Sequence, residues 1–409
     1  MNKTLRRHLF STPVIVAALG YLVDIYDLLL FGIVRIPSLK GIGITDADVL
    51  QEGIYLINAQ MIGLLGGGIV WGIFGDKKGR LSVLFGSIFL YSVANIANGF
   101  VTTVEQYAVI RFVAGVGLAG ELGAGITLVA EILPREIRGY GTTLVAAVGM
   151  AGAVLAYFVS EAFDWRVAYF IGGGLGVVLL IMRIGVFESG LFARIKETTA
   201  SRGNLLMLFT NAERLKKYIG CILIGTPTWY VVGILIILSP EFGVALSIAE
   251  PVVAGKAVMY SYIGIAVGDL ASGLISQWLQ SRKKVVLIFI LLTGLQIIFY
   301  VYAPIRTSGF LYFMCGMLGF SVGYWALFVT IAAEQFGTNL RATVTTTVPN
   351  FIRGTLPALN FFFVQAKSEW GILNGALVVG IGTIVVALVA LSLLRETFHQ
   401  DLDYIEPDS

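Results

Sequence analysis

The chain has 409 residues, 57% of them hydrophobic and only 13% charged, with 28 Lys and Arg against 25 Asp and Glu for a formal net charge of +3. Soluble domains carry about 25% charged residues, so this composition, with a mean hydropathy of +0.86, excludes a soluble globular protein and identifies a polytopic membrane protein. The small positive balance is spread over short loops, gives no basis for nucleic-acid binding, and bears on membrane topology instead.

Lys3, Arg6 and Arg7 precede the first apolar run, which lacks a small-residue cleavage site and reads as a retained first helix. Windows of about 20 apolar residues, the length needed to cross a bilayer, place spans at 11–35, 54–75, 81–101, 104–131, 138–163, 166–187, 218–240, 253–279, 284–303, 308–334, 341–366 and 371–394. The expected fold class is an all-α polytopic membrane protein with twelve transmembrane helices. One long polar connection, 188–217, carries Arg194, Lys196, Arg202, Arg214, Lys216 and Lys217. It divides the chain into an N-terminal six-helix bundle, 1–187, and a C-terminal six-helix bundle with its tail, 218–409.

The first span holds two carboxylates, Asp24 and Asp27, inside Gly20–Gly32. Residues three apart share a helix face, so both point the same way near mid-membrane. A charge there costs about 2.5–3.5 kcal/mol on insertion scales and marks a candidate functional site. Gln60 is a polar candidate in the second span. The connection that follows is Gly72-Ile-Phe-Gly-Asp76-Lys77-Lys-Gly79-Arg80, where an acid in a short turn near bases and helix N-termini can latch a conformation. The fourth span carries Arg111 and Glu121; its run Gly115-Val-Gly-Leu-Ala-Gly120 fits a dinucleotide fingerprint by letter, but no strand precedes it and close helix packing explains the glycines.

In the seventh span Gly225-Thr-Pro227-Thr predicts a kink just before Trp229 and Tyr230. Asp269 lies in the eighth span, Tyr324 and Trp325 in the tenth, and Asn350, Arg353 and Asn360 in the eleventh. Cys221 and Cys315 read as buried free thiols, and no metal spacing can be built from them. His8 and His399 are the only histidines and stand near the termini, so any proton route relies on carboxylates.

Lys and Arg in alternate loops set the orientation. Lys77, Lys78 and Arg80; Arg135 and Arg138; the central connection; Arg282, Lys283 and Lys284; and Arg341 fall on one side, which is cytoplasmic together with both termini. The halves also repeat. Glu131 and Arg138 follow the fourth span, and Glu334 and Arg341 follow the tenth at the same mutual spacing and an offset of 203 residues (131 to 334). The Gly72 to Arg80 loop has a degenerate echo at Gly273 to Lys284. Two parallel six-helix repeats are the mark of a transporter that binds at the interface of its halves and rocks about it.

These motifs resemble the major facilitator superfamily, most directly at Gly72, Asp76, Lys77, Gly79 and Arg80. Gly20 to Gly32 is similar to the first-helix pattern of the metabolite:proton symporter branch, although Asp24 stands where Glu is usual and Ile25 where Trp is. Arg111 to Glu121 resembles the branch's fourth helix, with Ala114 in place of Gln and Ala119 in place of Gly; Glu188-Ser-Gly-Leu-Phe192 resembles its sixth-helix ending without the proline. The resemblance implies a secondary transporter working by alternating access in a bacterial inner membrane, with first- and fourth-helix charges facing one another.

Depth supports that pairing. Asp27 lies eight residues before Arg35 and Arg111 seven after Val104, so each sits roughly 10–12 Å in at 1.5 Å per residue. Asp27, with Asp24, Arg111 and Glu121, forms the expected proton-coupling set. An Asp that loses its Arg takes up a proton and releases it when the pair re-forms. Arg353, with Asp269, Tyr26, Trp229, Tyr230, Tyr324, Trp325, Asn350 and Gln60, forms the expected substrate set, Arg353 offering a bidentate donor to a carboxylate. An internal Asp269–Arg353 pair is the competing arrangement. Gly72, Asp76, Lys77, Gly79, Arg80, Glu131, Arg138, Glu334 and Arg341 form the gating set. The expected function is proton-coupled symport of a small carboxylated metabolite by a monomer without cofactor, with sodium as the alternative ion. Proton-driven export of organic ions or drugs, sugar or polyol symport, and a non-transporting receptor are the other readings. No nucleophile–base set or phosphate loop supports an enzyme.

Overall fold

The structure, a computed structural model, describes residues 11–78, 80–121, 133, 138–188 and 207–398. The chain divides into two compact units, Met1–Asn204 and Leu205–Ser409. The first contains α1 (Thr12–Gly41), α2 (Val49–Lys78), α3 (Arg80–Asn98), α4 (Val104–Leu118), α5 (Arg138–Ala162) and α6 (Trp165–Glu188). The second contains α7 (Ala212–Leu223), α8 (Thr226–Tyr230), a π-helical turn Val231–Ile236, α9 (Ser239–Ala245), α10 (Ala254–Leu279), α11 (Arg282–Tyr302), α12 (Ser308–Ser321), α13 (Trp325–Glu334), α14 (Thr338–Arg353) and α15 (Leu356–Leu393). Short polar side chains start several of them. Thr103, Asn211, Ser281 and Thr307 each accept a backbone N–H from the first turn of α4, α7, α11 and α12, satisfying donors that have no intrahelical partner.

Among the described residues nine helical segments are long and apolar enough to cross a membrane, and Thr343–Leu393 covers two expected spans in one. Val83–Asn98 is a shorter apolar helix, and the expected fourth span is described only to Glu121. Large apolar side chains point outward, such as Phe89, Ile181 and Leu274, as a lipid-facing surface requires.

The two units use one packing plan. In the first, α1 lies on α5, α2 on α4, and α3 on α6; in the second, α10 lies on α12, and α11 on α15. The second- and fourth-helix contact is made backbone to backbone. A Cβ on Gly67 would stand 2.6 Å from Val116 O, and Gly63 and Gly115 are closer still to Phe112 and Gln60 carbonyls. Small residues allow that approach in a membrane.

Three spans expected to be continuous are broken in the second unit. The seventh turns at Gly225 and then passes through the π-helical turn. The tenth stops at Ser321 and restarts at Trp325, because Gly323 presses against the backbone of Gly268 and Asp269. The eleventh breaks at Gly354–Thr355, directly after Arg353. The turn between the eleventh and twelfth is Gly371 with φ +76°, a left-handed conformation in which a side chain would be strained.

Candidate functional site

Buried polar and charged residues mark the interior of each unit. In the first, Asp24 and Asp27 of α1 are fully buried. Asp27 lies against the backbone of α6, where a Cβ on Gly172 would stand 2.5 Å from its Oδ1. Asp24 and Arg111 are its charged neighbours, and the Asn95 amide of α3 faces it. Arg111 is held elsewhere. Its Nη2 donates to Gln60 Oε1, and its guanidinium lies 5.2 Å from the Phe31 ring centroid and 6.0 Å from that of Tyr169. No Asp27–Arg111 ion pair forms among the described residues, so the pairing expected from matched depth is a coupling across space rather than a contact. Gln60, expected near substrate, is the side-chain hydrogen-bond partner of Arg111.

Glu121 is paired with a residue the sequence reading passed over. Arg183 of α6 donates Nη1 to Glu121 Oε2 at 2.9 Å and Nη2 to Oε1. Both are buried, and Gly20 of α1 leaves the room they occupy. An arginine inside the apolar run Ile-Met-Arg183-Ile-Gly was the available signal. Tyr26 directs its hydroxyl to Ala168 O at 2.8 Å, bracing α1 on α6.

In the second unit Arg353 is 1% exposed and lies between two indoles, 5.7 Å from the Trp229 ring and 5.8 Å from that of Trp325. Its Nη1 reaches Asn350 Oδ1 at 3.5 Å, while its Nε and Trp229 Nε1 are buried with no hydrogen bond. No carboxylate pairs with it among the described residues. Asp269 does not, because its Oδ1 accepts the Ala326 N–H at 3.1 Å. The break before α13 leaves that helix's first donors unpartnered, and Asp269 supplies the acceptor. The internal Asp269–Arg353 pair offered by the sequence does not form among the described residues; Asp269 caps α13 instead. Tyr230 donates to Ala376 O and Tyr324 to Ile224 O at 3.0 Å, so both hydroxyls tie helices together.

Of the gating set, Gly72 has open space where a Cβ would stand. Gly79 and Glu131, and the side chains of Asp76, Lys77, Arg80 and Arg138, lie outside the described residues. Glu334 accepts from Arg282 at 3.4 Å and from Thr397 at 2.6 Å, whereas Arg341 donates Nε to Ala333 O at 3.1 Å. Glu396 joins the same end of the unit. It accepts the Ser281 hydroxyl and the N–H groups of Arg282 and Lys283 at 2.9 and 3.2 Å, capping α11. Partial burial works against its charge, but hydrogen bonds from Ser281 and the amides of Arg282, Phe398 and Thr397 prevail and hold its carboxyl below the usual glutamate value. A carboxyl lowered on folding stabilises the fold above its unfolded value of about 4.3 and loses that contribution as pH falls through the folded value. Hydrogen-exchange protection of the Arg282 and Lys283 amides is therefore expected to fall as pH drops from about 5 to about 3, and Glu396→Gln to remove that dependence.

A family model described as Major Facilitator Superfamily matches residues 18–354. A probable 4-methylmuconolactone transporter of Cupriavidus pinatubonensis is 25% identical over 340 residues, 79% of this chain and 76% of that one. A putative niacin/nicotinamide transporter of Bacillus subtilis is 24% identical over 353 residues, 83% and 84% of the two chains. Among solved structures, a proton:xylose symporter bound to 6-bromo-6-deoxy-D-glucose superposes with a TM-score of 0.69 at 15% identity, covering 97% of this chain and 98% of the other.

Proposed function

This chain belongs to the major facilitator superfamily, and on that footing we propose that it is a secondary-active importer coupling inward proton movement to uptake of a small carboxylated metabolite. Family membership and its relatives establish the coarser statement, a multi-pass membrane transporter of small metabolites and not an enzyme. The observation that carries the finer one is Arg353, a buried guanidinium framed by Trp229 and Trp325 and lacking a carboxylate partner among the described residues. A buried charge needs a counter-charge. The planar fork of arginine suits a carboxylate bidentately, and flat indole faces suit a planar acid of the kind that niacin, named for one relative, represents.

The first unit supplies the coupling ion. Asp27 holds a proton while Gln60 engages Arg111, and gives it up when the guanidinium moves to the carboxylate. Asp24 shares the titration, since two acids one helical turn apart behave as one group. Glu121, locked to Arg183, serves as a fixed countercharge. Loop charge supports a topology with both termini in the cytoplasm, as in a bacterial inner-membrane protein. The protein works as a monomer without cofactor.

The test is uptake of labelled nicotinate and benzoate into proteoliposomes under an imposed inward proton gradient. Accumulation that collapses with a protonophore is expected, and Asp27→Asn is expected to keep carboxylate exchange while losing accumulation. Accumulation that follows a sodium gradient, or proton-driven extrusion, would replace this reading with another ion or the opposite direction.

A further inference from the structure

Asp27 is enclosed by α1 and α6, and a proton needs a path to it. Ser92, Asn95 and Asn98 of α3 follow one another at three-residue spacing and so share one face. Asn98 is 0% exposed and the other two 1%. Ser92 Oγ and both amide atoms of Asn98 make no hydrogen bond, and Asn95 has the Asp27 carboxyl as its neighbour. Leaving a buried polar group unpartnered costs roughly 1–3 kcal/mol each, and such groups are normally satisfied by protein or by water.

This face meets the glycines of α6. Gly176 lies on Ser92 Oγ, a Cβ on Gly173 would stand 2.9 Å from Ser92 O, and Gly172 borders Asp27. The two ends of the row differ. Asn98 closes α3 beside the loop 99–103, where Phe100 is 69% exposed. Asn95 faces the Asp27 carboxyl. The charged and titratable groups around that end are Asp24, Arg111, Tyr26, Tyr91 and Tyr169. Two of the tyrosines are engaged, Tyr26 with Ala168 O and Tyr169 with Tyr107.

We propose that Ser92, Asn95 and Asn98 line a hydrated track, internal to the first unit, that carries the coupling proton between the loop 99–103 and Asp27. The amides do not titrate. They order waters, each of which needs two to four polar partners. A proton entering beside Asn98 is accepted by one water as that water passes another on, so the net change is the Asp27 carboxylate becoming a carboxyl, with no other bond made or broken. The steps are short, about 4.5 Å of rise from Asn98 to Asn95.

This inference rests on proton coupling at Asp27, and its test separates the two. Asn98→Leu, Asn98→Ser and Asp27→Asn are compared in proteoliposomes for gradient-driven nicotinate uptake and, separately, for nicotinate exchange without a gradient; Asn98→Val serves where leucine prevents folding. Asn98→Leu is expected to slow driven uptake about tenfold while leaving exchange within about twofold, and Asn98→Ser to restore it. Driven uptake at the normal rate in Asn98→Leu, with Asp27→Asn uncoupled, overturns the track and leaves proton coupling standing. Equal loss of uptake and exchange in both Asn98 variants marks a packing role and also overturns it. Continued coupling in Asp27→Asn removes the proton reading and the track together.

Discussion

Arg353→Ala is expected to abolish the thermal stabilisation that small carboxylates confer and to weaken their binding roughly 10–150-fold, the span that corresponds to about 1.5–3 kcal/mol for hydrogen bonds to a charged group. The chain has invested in holding this side chain. It is the last residue of α14, and the helix breaks immediately afterwards at Gly354–Thr355. Indoles from α8 and α13 flank its guanidinium, and Asn350, one turn earlier, meets its Nη1. Arg353→Lys is expected to recover little, because an ammonium neither forks onto a carboxylate nor lies flat between rings. A thermal-shift series with nicotinate, benzoate, citrate, xylose and a polyol on the natural protein and both variants decides it. Unchanged stabilisation by the acids in Arg353→Ala would move the anchor elsewhere, and a response to xylose alone would favour a sugar symporter.

The second large effect concerns stability. Arg183→Ala is expected to destabilise the first unit by about 3–5 kcal/mol, the usual result of stripping one partner from a buried ion pair. The survivor would be Glu121, 2% exposed and sealed on one side by Gly20. Glu121→Leu combined with Arg183→Met is expected to cost much less than either single change, because the apolar pair leaves no buried charge unmatched. Unfolding midpoints of the purified variants in one detergent measure both. A double variant no more stable than the singles would show that the pair contributes more than mutual neutralisation.

Much of this architecture is legible in the chain because membrane spans obey a simple length and polarity rule. The apolar windows locate the helices, and the repeat of Glu131 and Arg138 by Glu334 and Arg341 announces two like halves. The breaks inside helices were less legible. Gly225 and Pro227 signal theirs, but the interruption at 322–324 comes from Gly323 meeting Gly268 across the unit, and no local propensity records that contact. Asp269 shows the same limit. Sequence offers it as a neighbour of Arg353, whereas a helix restarting 56 residues later (269 to 325) takes its carboxylate as a cap. Matched depth predicts an Arg111–Asp27 pair, but sequence cannot say that Arg111 hydrogen-bonds Gln60 instead. Arg183 was passed over because it lies near a helix end, where a basic residue is ordinarily topological.

A second cap on α11 is supplied from far along the chain. Glu396 accepts the Arg282 N–H across 114 residues, so during synthesis the first turn of α11 has only its local Ser281 cap, and the Arg282 and Lys283 amides wait for their acceptor until almost the whole second unit has been made. A fusion or cleavage placed just after Leu393 would therefore leave every apolar span intact and still strip the Arg282 and Lys283 amides of their acceptor. The final half-dozen described residues thus act as a completion signal, through which a finished second unit differs chemically from a truncated one.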